Sequence, residues 1–346
     1  MNRCPVEIMD VIMELACADG GSTGRALSLV SKLVSEVSRP YILNSIALYG
    51  INQVERFSTF ISTPDKTRTS RVRHLFISRI RPHKEPRKRI PGQRYPSGFS
   101  LTITDQSNYR RQWMNIFHAV SPTLISLVVI DEDIPNMQIL GHDWPVLEDL
   151  SLSVDSPINW VQSREFPVQL PALKRLTLIA HIADPFPSFF HHACLTFPNL
   201  THLRLSGFED ILCFAEDLSV ALGQREYDPQ SITRWPNSKP SLPQNIQCVS
   251  IHVGKQAYFR PRIAGWRSRA EVVADLRELA YGGIITLTEG EREGRGEFFV
   301  FMMRKHWLEC VNGLEGPWNF GGRHMTAIDP LPEAVVVEDN VASAST

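Results

Sequence analysis

The middle of the chain repeats one short pattern of apolar and polar positions. Four segments share the order P-x-L-x-x-L-x-L, with Val at the last position in one of them. The first leucines of these copies are Leu124, Leu147, Leu173 and Leu200. They lie 23, 26 and 27 residues apart, and weaker copies surround Ile246 and cover residues 71–78. Self-similarity at this period is typical of proteins built from stacked repeats.

Each repeat predicts one short strand. A bend followed by L-x-L places two apolar side chains on the same side, so that stacked copies form a parallel sheet over a shared core. Between the strands, residues 109–120 and 210–222 have the apolar period of outer helices. We therefore predict an α/β fold in which residues 96–265 form an irregular solenoid that resembles leucine-rich repeats.

The first residues of the chain have a helical period instead. Ile8, Ile12 and Leu15 recur on one face of a segment from Pro5 to Cys17, and Pro5 suits a helix start. Three glycines in ADGGSTG then interrupt the pattern.

A second helical segment is predicted from Arg25 to Arg39. Leu27, Val30 and Val34 line one side of it, and Pro40 ends it. The next segment, YILNSIALYG, predicts a short strand, and a third helical segment follows it.

This order resembles an F-box. The quoted elements are P-x-E-I-x-x-x-I-x-x-L, then LSLVSK, then S-R-P-Y-I-L-N-S-I-A-L, and they are similar to the segment that opens many leucine-rich F-box-like proteins of mushroom-forming fungi. The resemblance implies that residues 1–50 are an F-box-like helical unit that docks onto the adaptor subunit of a cullin-RING ubiquitin ligase. The implied adaptor-binding residues are Pro5, Ile8, Ile12, Leu27, Val30 and Val34.

The last third predicts an end to the solenoid. A helix at 268–281, the strand GIITLTEG and a closing amphipathic helix lie within residues 266–328, which we expect to cap the last repeat. The ending W-L-x-x-x-x-G-L-E-G-x-W resembles the terminal helix of the same fungal family. Residues 329–346 are polar and small, and we expect them to be disordered.

Charge is unevenly distributed. The net charge of −1 excludes a globally basic nucleic-acid binder, yet residues 66–94 carry +10 and the rest −11. Residues 51–95 are thus a connecting helix, a first strand and a basic loop. The loop fits a solvated insertion better than a contact with nucleic acid or the nuclear-import machinery, because few aromatic residues accompany it. Folding back onto the acidic remainder is equally compatible with the charges.

The N-terminal charges and the cysteines indicate in which compartment of the cell we expect the protein. Glu7, Asp10 and Glu14 interrupt any signal-peptide stretch, and no apolar window reaches the ~18 residues of a membrane span. The six cysteines lack zinc-ligand spacing, so we expect reduced thiols and no metal. These features predict a soluble protein of the cytoplasm or nucleus without a membrane partner.

Enzyme motifs are few. Gly20-Gly21-Ser22-Thr23-Gly24 matches G-x-S-x-G, but a nucleophile elbow needs a preceding strand, and the preceding residues are predicted to be helical. A hydrolase using Ser22 is therefore the weakest alternative. We expect no catalytic residue, no cofactor and no small-molecule substrate.

Together these features predict the target-recognition adaptor of an SCF-type ubiquitin ligase, whose repeats bind an unidentified target protein. The alternative is a repeat scaffold whose N-terminal helices only cap the solenoid. That alternative requires Ile8, Ile12 and Leu27 to lie in the same core as Leu75.

Overall fold

The structure is a computed structural model of the chain. It describes residues 5–63, 72–82, 103–131, 139–154, 169–180, 189–208, 214–227, 239–254, 269–281, 283–290, 297–314 and 318. The basic loop at 83–94 and the tail at 329–346, both singled out by the sequence, lie outside these residues.

The described ranges contain eight strands and nine helices, so the chain is α/β as predicted. The strands are β1 (Ser45–Tyr49), β2 (His74–Ser78), β3 (Ser126–Ile130), β4 (Asp149–Val154), β5 (Arg175–Ala180), β6 (His202–Ser206), β7 (Cys248–Gly254) and β8 (Ile285–Gly290). The helices are α1 (Val6–Ala16), α2 (Ser22–Leu27), α3 (Lys32–Ser38), α4 (Ile51–Ile61), α5 (Ile103–Val120), α6 (Phe189–Thr196), α7 (Phe214–Ala221), α8 (Arg269–Ala280) and α9 (Glu297–Val311).

All eight strands belong to one sheet in the order of the sequence, and every neighbouring pair is parallel. A parallel pair needs a crossover between its strands, which is where the helices lie. β1 was assigned to the helical unit from the sequence, but it is the first strand of this sheet. The unit before the sheet therefore ends before Ser45.

The repeated apolar positions form two continuous rows across one face of the sheet. The first row is Ile46, Leu75, Leu127, Leu150, Leu176, Leu203, Val249 and Ile285. The second row is Leu48, Ile77, Val129, Leu152, Leu178, Leu205, Ile251 and Leu287. All but Leu287 are buried in the main core, and burying each such side chain contributes about 1.5–3 kcal/mol.

Backbone hydrogen bonds at the start of each strand hold this register. The N–H groups of Ile125 and Ser126 both donate to the carbonyl oxygen of Arg73, at 2.7 and 3.1 Å. The same arrangement recurs at every junction from β1 to β7, with one carbonyl accepting from the two residues that begin the next strand. The other accepting carbonyls belong to Asn44, Ile125, Glu148, Lys174 and Thr201.

Helices α4 to α8 cover the face that carries the two rows. Their contributions to the main core include Phe57 of α4, Trp113 of α5 and Leu218 of α7. α5 and α7 contain the amphipathic segments that the sequence predicted as an outer layer.

The closing helix, α9, lies elsewhere than expected. It does not cap the last repeat but packs on the opposite face of the sheet, against β2 and β3. The ring centroids of Trp307 on α9 and of Phe76 are 5.5 Å apart, and Nε1 of Trp307 donates to the hydroxyl of Ser126 at 3.1 Å. The physical reason is that the first strands also place apolar residues, such as Phe76 and Val128, on this second face. We call it the inner face below.

Gly207, directly after β6, provides a test of the strand spacing. Its φ is +78°, and an added Cβ would lie 2.2 Å from the carbonyl oxygen of Ala180 on β5. Gly223 has a similar φ of +71° but open space around it, so it is a matched control.

Gly223→Ala should cost about 1–2 kcal/mol of unfolding free energy, and Gly207→Ala at least about 2 kcal/mol more. Urea unfolding measures both, and equal losses would contradict this packing.

Asp217 on α7 should make stability depend on pH. Its side chain is buried, and Oδ1 has no hydrogen-bond partner among the described residues. Burial, followed by the neighbouring Glu216 carboxylate, raises the pKa of Asp217 to about 7 from an ordinary 3.8. The folded state therefore binds the proton more tightly than the unfolded state, and stability falls as the pH rises from about 4 to about 7.

Asp217→Asn should remove the loss of stability that the wild type shows as the pH rises. We expect the variant to be more stable than the wild type at pH 8, by a difference on the order of 2–4 kcal/mol that shrinks toward pH 4. Chemical unfolding across pH 4–8 checks this, and a difference that does not change with pH would contradict it.

Candidate functional site

The three N-terminal helices form a small unit around a core of their own. Met9 and Met13 of α1 and Val34 of α3 are buried together, and Leu27 packs beside them. The hydroxyl of Ser31 caps α3 by accepting from the backbone N–H of Val34 at 3.2 Å. This cluster is separate from the main core of the sheet.

The other side of α1 exposes a second apolar face. Ile8, Val11, Ile12 and Leu15 have the i, i+3, i+4, i+7 spacing of one helix face, and their exposed fractions lie between 51% and 69%. Eight of the eleven residues of α1 are apolar, which is why the helix can fill the small core and still leave this face in solvent.

A second exposed group follows α2. Leu29, Val30 and Leu33 are exposed, Leu29 at 86%. Of the fifteen large apolar side chains exposed in the described ranges, seven fall within residues 8–33. Isolated exposed apolar residues are ordinary, but this concentration is typical of a surface that binds another protein. We call these seven side chains the N-terminal apolar surface.

The structure separates the predicted adaptor-binding residues into two sets. Pro5, the residue directly before α1, is exposed, and so are Ile8, Ile12 and Val30. Val34 is only 2% exposed.

Val34 is therefore a core residue of the unit, and Leu27 is partly buried against the same cluster. The sequence suggested one helix from 25 to 39, which would place both on the same face as Val30. The chain instead forms two helices, α2 and α3, and the break at residues 28–31 changes the phase of the second.

Four residues of the N-terminal apolar surface were not among the implied adaptor-binding residues. They are Val11, Leu15, Leu29 and Leu33, of which Leu15 was already placed on the apolar face of the first helix. The available signal was that α1 is apolar on more than one side, which for a surface helix indicates a second burial partner.

Polar contacts hold the unit against the sheet. Arg73, just before β2, pairs with Glu14 of α1 at 3.1 Å. Arg304 of α9 donates to the carbonyl oxygen of Asp19 at 3.2 Å, and the N–H of Ala47 in β1 donates to the carbonyl oxygen of Gly20 at 3.3 Å. The unit thus has a defined orientation on the first strand and on α9.

The G-x-S-x-G segment is a helix start in this structure. The Asp19 carboxylate accepts hydrogen bonds from the backbone of Gly21 and Thr23 and from the hydroxyls of Ser22 and Thr23. Burial raises the pKa of Asp19, but these bonds outweigh it and leave the pKa below its usual value. The element before the segment is α1 rather than a strand, so Ser22 does not have the geometry of a nucleophile elbow.

Other kinds of site are not found in the described part of the chain. Within it, no three His, Cys, Asp or Glu side chains are grouped so that they could hold a metal ion. None of the helices described above is both long and apolar enough to span a membrane.

Comparisons with known proteins add no relative. No protein-family model matches the chain, and no curated protein matches its sequence.

Substitutions on the two sides of α1 should differ strongly in their effect on stability. Met9→Ser with Met13→Ser removes buried contacts and should cost about 2–5 kcal/mol of local stability, whereas Ile8→Ser with Ile12→Ser should change it by less than about 0.5 kcal/mol. Amide hydrogen exchange over residues 5–41 measures this. Similar loss of protection in both variants would mean that Ile8 and Ile12 are core residues.

Proposed function

We propose that this protein is the target-recognition adaptor of a cullin-RING ubiquitin ligase. Its N-terminal helices, as an F-box-like unit, bind the adaptor subunit of the ligase, and its leucine-rich-repeat-like solenoid binds the protein to be ubiquitinated. The observation that supports this most is the N-terminal apolar surface, because it leaves large side chains in solvent on a unit that already has its own core.

The size of the surface is adequate for a specific partner. Burying Ile8, Ile12 and Leu15 would each contribute up to about 1.5–3 kcal/mol, before the cost of association is subtracted. Pro5 and Val30 are available for contact as the resemblance implied, while Val34 is buried and Leu27 is partly buried beside it.

The scaffold alternative fits the structure less well. It requires Ile8, Ile12 and Leu27 in the core that contains Leu75, but Ile8 and Ile12 are exposed and Leu27 packs in the separate cluster. An N-terminal unit that served only as a cap would direct these side chains toward the sheet.

In the proposed function the protein acts by holding the target protein near the ubiquitin carrier. The transfer of ubiquitin takes place on other subunits, in the cytoplasm or nucleus, and this chain contributes two binding surfaces on one body. The contacts of Arg73 with Glu14 and of Arg304 with Asp19 favour a fixed orientation between those surfaces. A fixed orientation raises the effective concentration of the target near the ubiquitin carrier.

Co-purification with the ligase adaptor tests the proposal. The adaptor subunit should co-purify with the wild-type chain, and Ile8→Asp with Ile12→Asp should reduce the bound fraction by at least about tenfold, because two charges would be buried in an apolar contact. Leu195→Asp is a matched control, since Leu195 is 61% exposed on α6 and lies outside the N-terminal unit. A wild-type chain that folds without retaining the adaptor would refute the proposal.

A further inference from the structure

A groove runs between α4 and α5, the first two helices of the outer layer. The buried sides of these helices, which include Phe57 and Trp113, belong to the main core. Their solvent sides leave between them a cavity of about 670 Å³. We call this cavity the outer groove, and its polar walls are formed by Glu55, Ser58 and Thr59 of α4 and by Asn108, Arg111, Gln112 and Asn115 of α5.

The dimensions of the outer groove suit a short stretch of polypeptide. Its volume lies within the roughly 300–1,000 Å³ of ordinary ligand sites. The wall on the α4 side extends from Ile51 to Ser62, which at ~1.5 Å per helical residue is a length of about 16 Å. An extended chain covers that length with about five residues.

The walls of the outer groove are open to solvent. Glu55 and Thr59 on one side and Asn108, Arg111 and Asn115 on the other are all exposed. A ligand can therefore reach these side chains without a rearrangement of the two helices.

The chemistry of the walls excludes several classes of ligand. Glu55 contributes one negative and Arg111 one positive charge, so these walls have no excess charge for a polyanion such as nucleic acid. The ring of Tyr109 lines the groove but is only 2% exposed, so this ring offers no surface on which a nucleobase could stack. Polar side chains predominate, whereas sites for drug-sized ligands are largely apolar. The walls therefore favour a ligand that is neutral and rich in hydrogen-bonding groups.

Ser58 provides an unpaired hydroxyl at the floor of the outer groove. The residue is only 4% exposed, and its hydroxyl has no hydrogen-bond partner within the described part of the chain. Its backbone carbonyl, by contrast, accepts from the hydroxyl of Ser62 at 2.8 Å, and the hydroxyl of the neighbouring Tyr109 donates to the carboxylate of Asp131. Hydroxyls of buried residues are nearly always hydrogen-bonded, so an unpaired one that lines a groove favours the binding of a ligand there.

Three carboxamides line the same groove from α5. Asn108, Gln112 and Asn115 have the i, i+4, i+7 spacing of one helix face. Each carboxamide carries N–H donors and an acceptor oxygen, and a peptide group likewise combines a donor with an acceptor. Nη2 of Arg111 donates to Oδ1 of Asn108 at 3.4 Å, which leaves the N–H groups of Asn108 for an acceptor on the ligand. Such a row of carboxamides suits a polypeptide backbone.

We propose that the outer groove binds an extended segment of about five residues from the target protein and holds it through its backbone. Ser58 and the three carboxamides form hydrogen bonds with its peptide groups. The inference deepens the proposed function and rests on it, because it takes the segment to belong to the protein that the repeats capture.

Nuclear magnetic resonance on the full chain tests this with two neutral peptide probes. Acetyl-Ser-Ala-Ser-Ala-Ser-amide should shift the side-chain amide signals of Asn108, Gln112 and Asn115 saturably. The same peptide with every backbone nitrogen methylated cannot donate hydrogen bonds from its backbone, and it should bind at least about tenfold more weakly.

Ser58→Ala tests the unpaired hydroxyl. It should weaken binding of the unmodified peptide about three- to tenfold, because one hydrogen bond is lost. It should not lower the urea midpoint of unfolding, since the hydroxyl has no partner in the described part of the free protein. Asn52→Ala is the control and should leave binding unchanged, because Asn52 is exposed on α4 but does not line the outer groove.

A second variant fills the groove from its open side. Thr59 is exposed, so Thr59→Phe adds bulk without disturbing the core and should weaken binding of the unmodified peptide at least about tenfold. Equal binding of the two probes, no saturable shift with the unmodified peptide, or unchanged binding in either folded variant would overturn the inference.

The result is separable from the adaptor test. Neither variant touches the N-terminal apolar surface, so both should retain the ligase adaptor. Loss of adaptor binding with intact peptide binding would count against the proposed function, and the reverse would count against the peptide-groove inference alone.

Discussion

The fold depends on the in-register stacking of parallel strands. Two rows of eight apolar side chains run across the sheet, and neither could form a core within a single repeat. The carbonyl that accepts two N–H groups at the start of the next strand prevents a slip of one residue, which would turn every apolar side chain to the other face. The outer helices, the inner face and the N-terminal unit all take their positions from this register.

α9 joins the sheet to the N-terminal unit. Trp307 and its neighbours cover Phe76 and Val128 on the inner face, and Arg304 donates to the carbonyl oxygen of Asp19 in the N-terminal unit. A segment expected from its sequence to close the end of the solenoid thus lies at its beginning, beside the proposed adaptor surface.

Local patterns were informative where one physical constraint dominates. The L-x-x-L-x-L copies identified the strands because alternate positions must be apolar in any buried strand. β1 was predicted as a strand but assigned to the wrong unit, since Pro40 lies three residues before Leu43, not two as in the four clear copies. Of the residues implied to bind the adaptor, Ile8 and Ile12 are exposed, whereas Val34 is buried and Leu27 is partly buried, because a short break between the helices changes which side faces the solvent.

The sequence by itself determined the α/β class and the apolar strand positions of the repeats in the middle of the chain, because these follow from periodicities of two and of about 3.6 residues. Only the tertiary structure decided which face of the sheet α9 covers and which side of α1 remains in solvent. It also decided that Ser58 of α4 and Gln112 of α5 line one groove. Such juxtapositions depend on packing between residues far apart in the chain, and no local pattern encodes them.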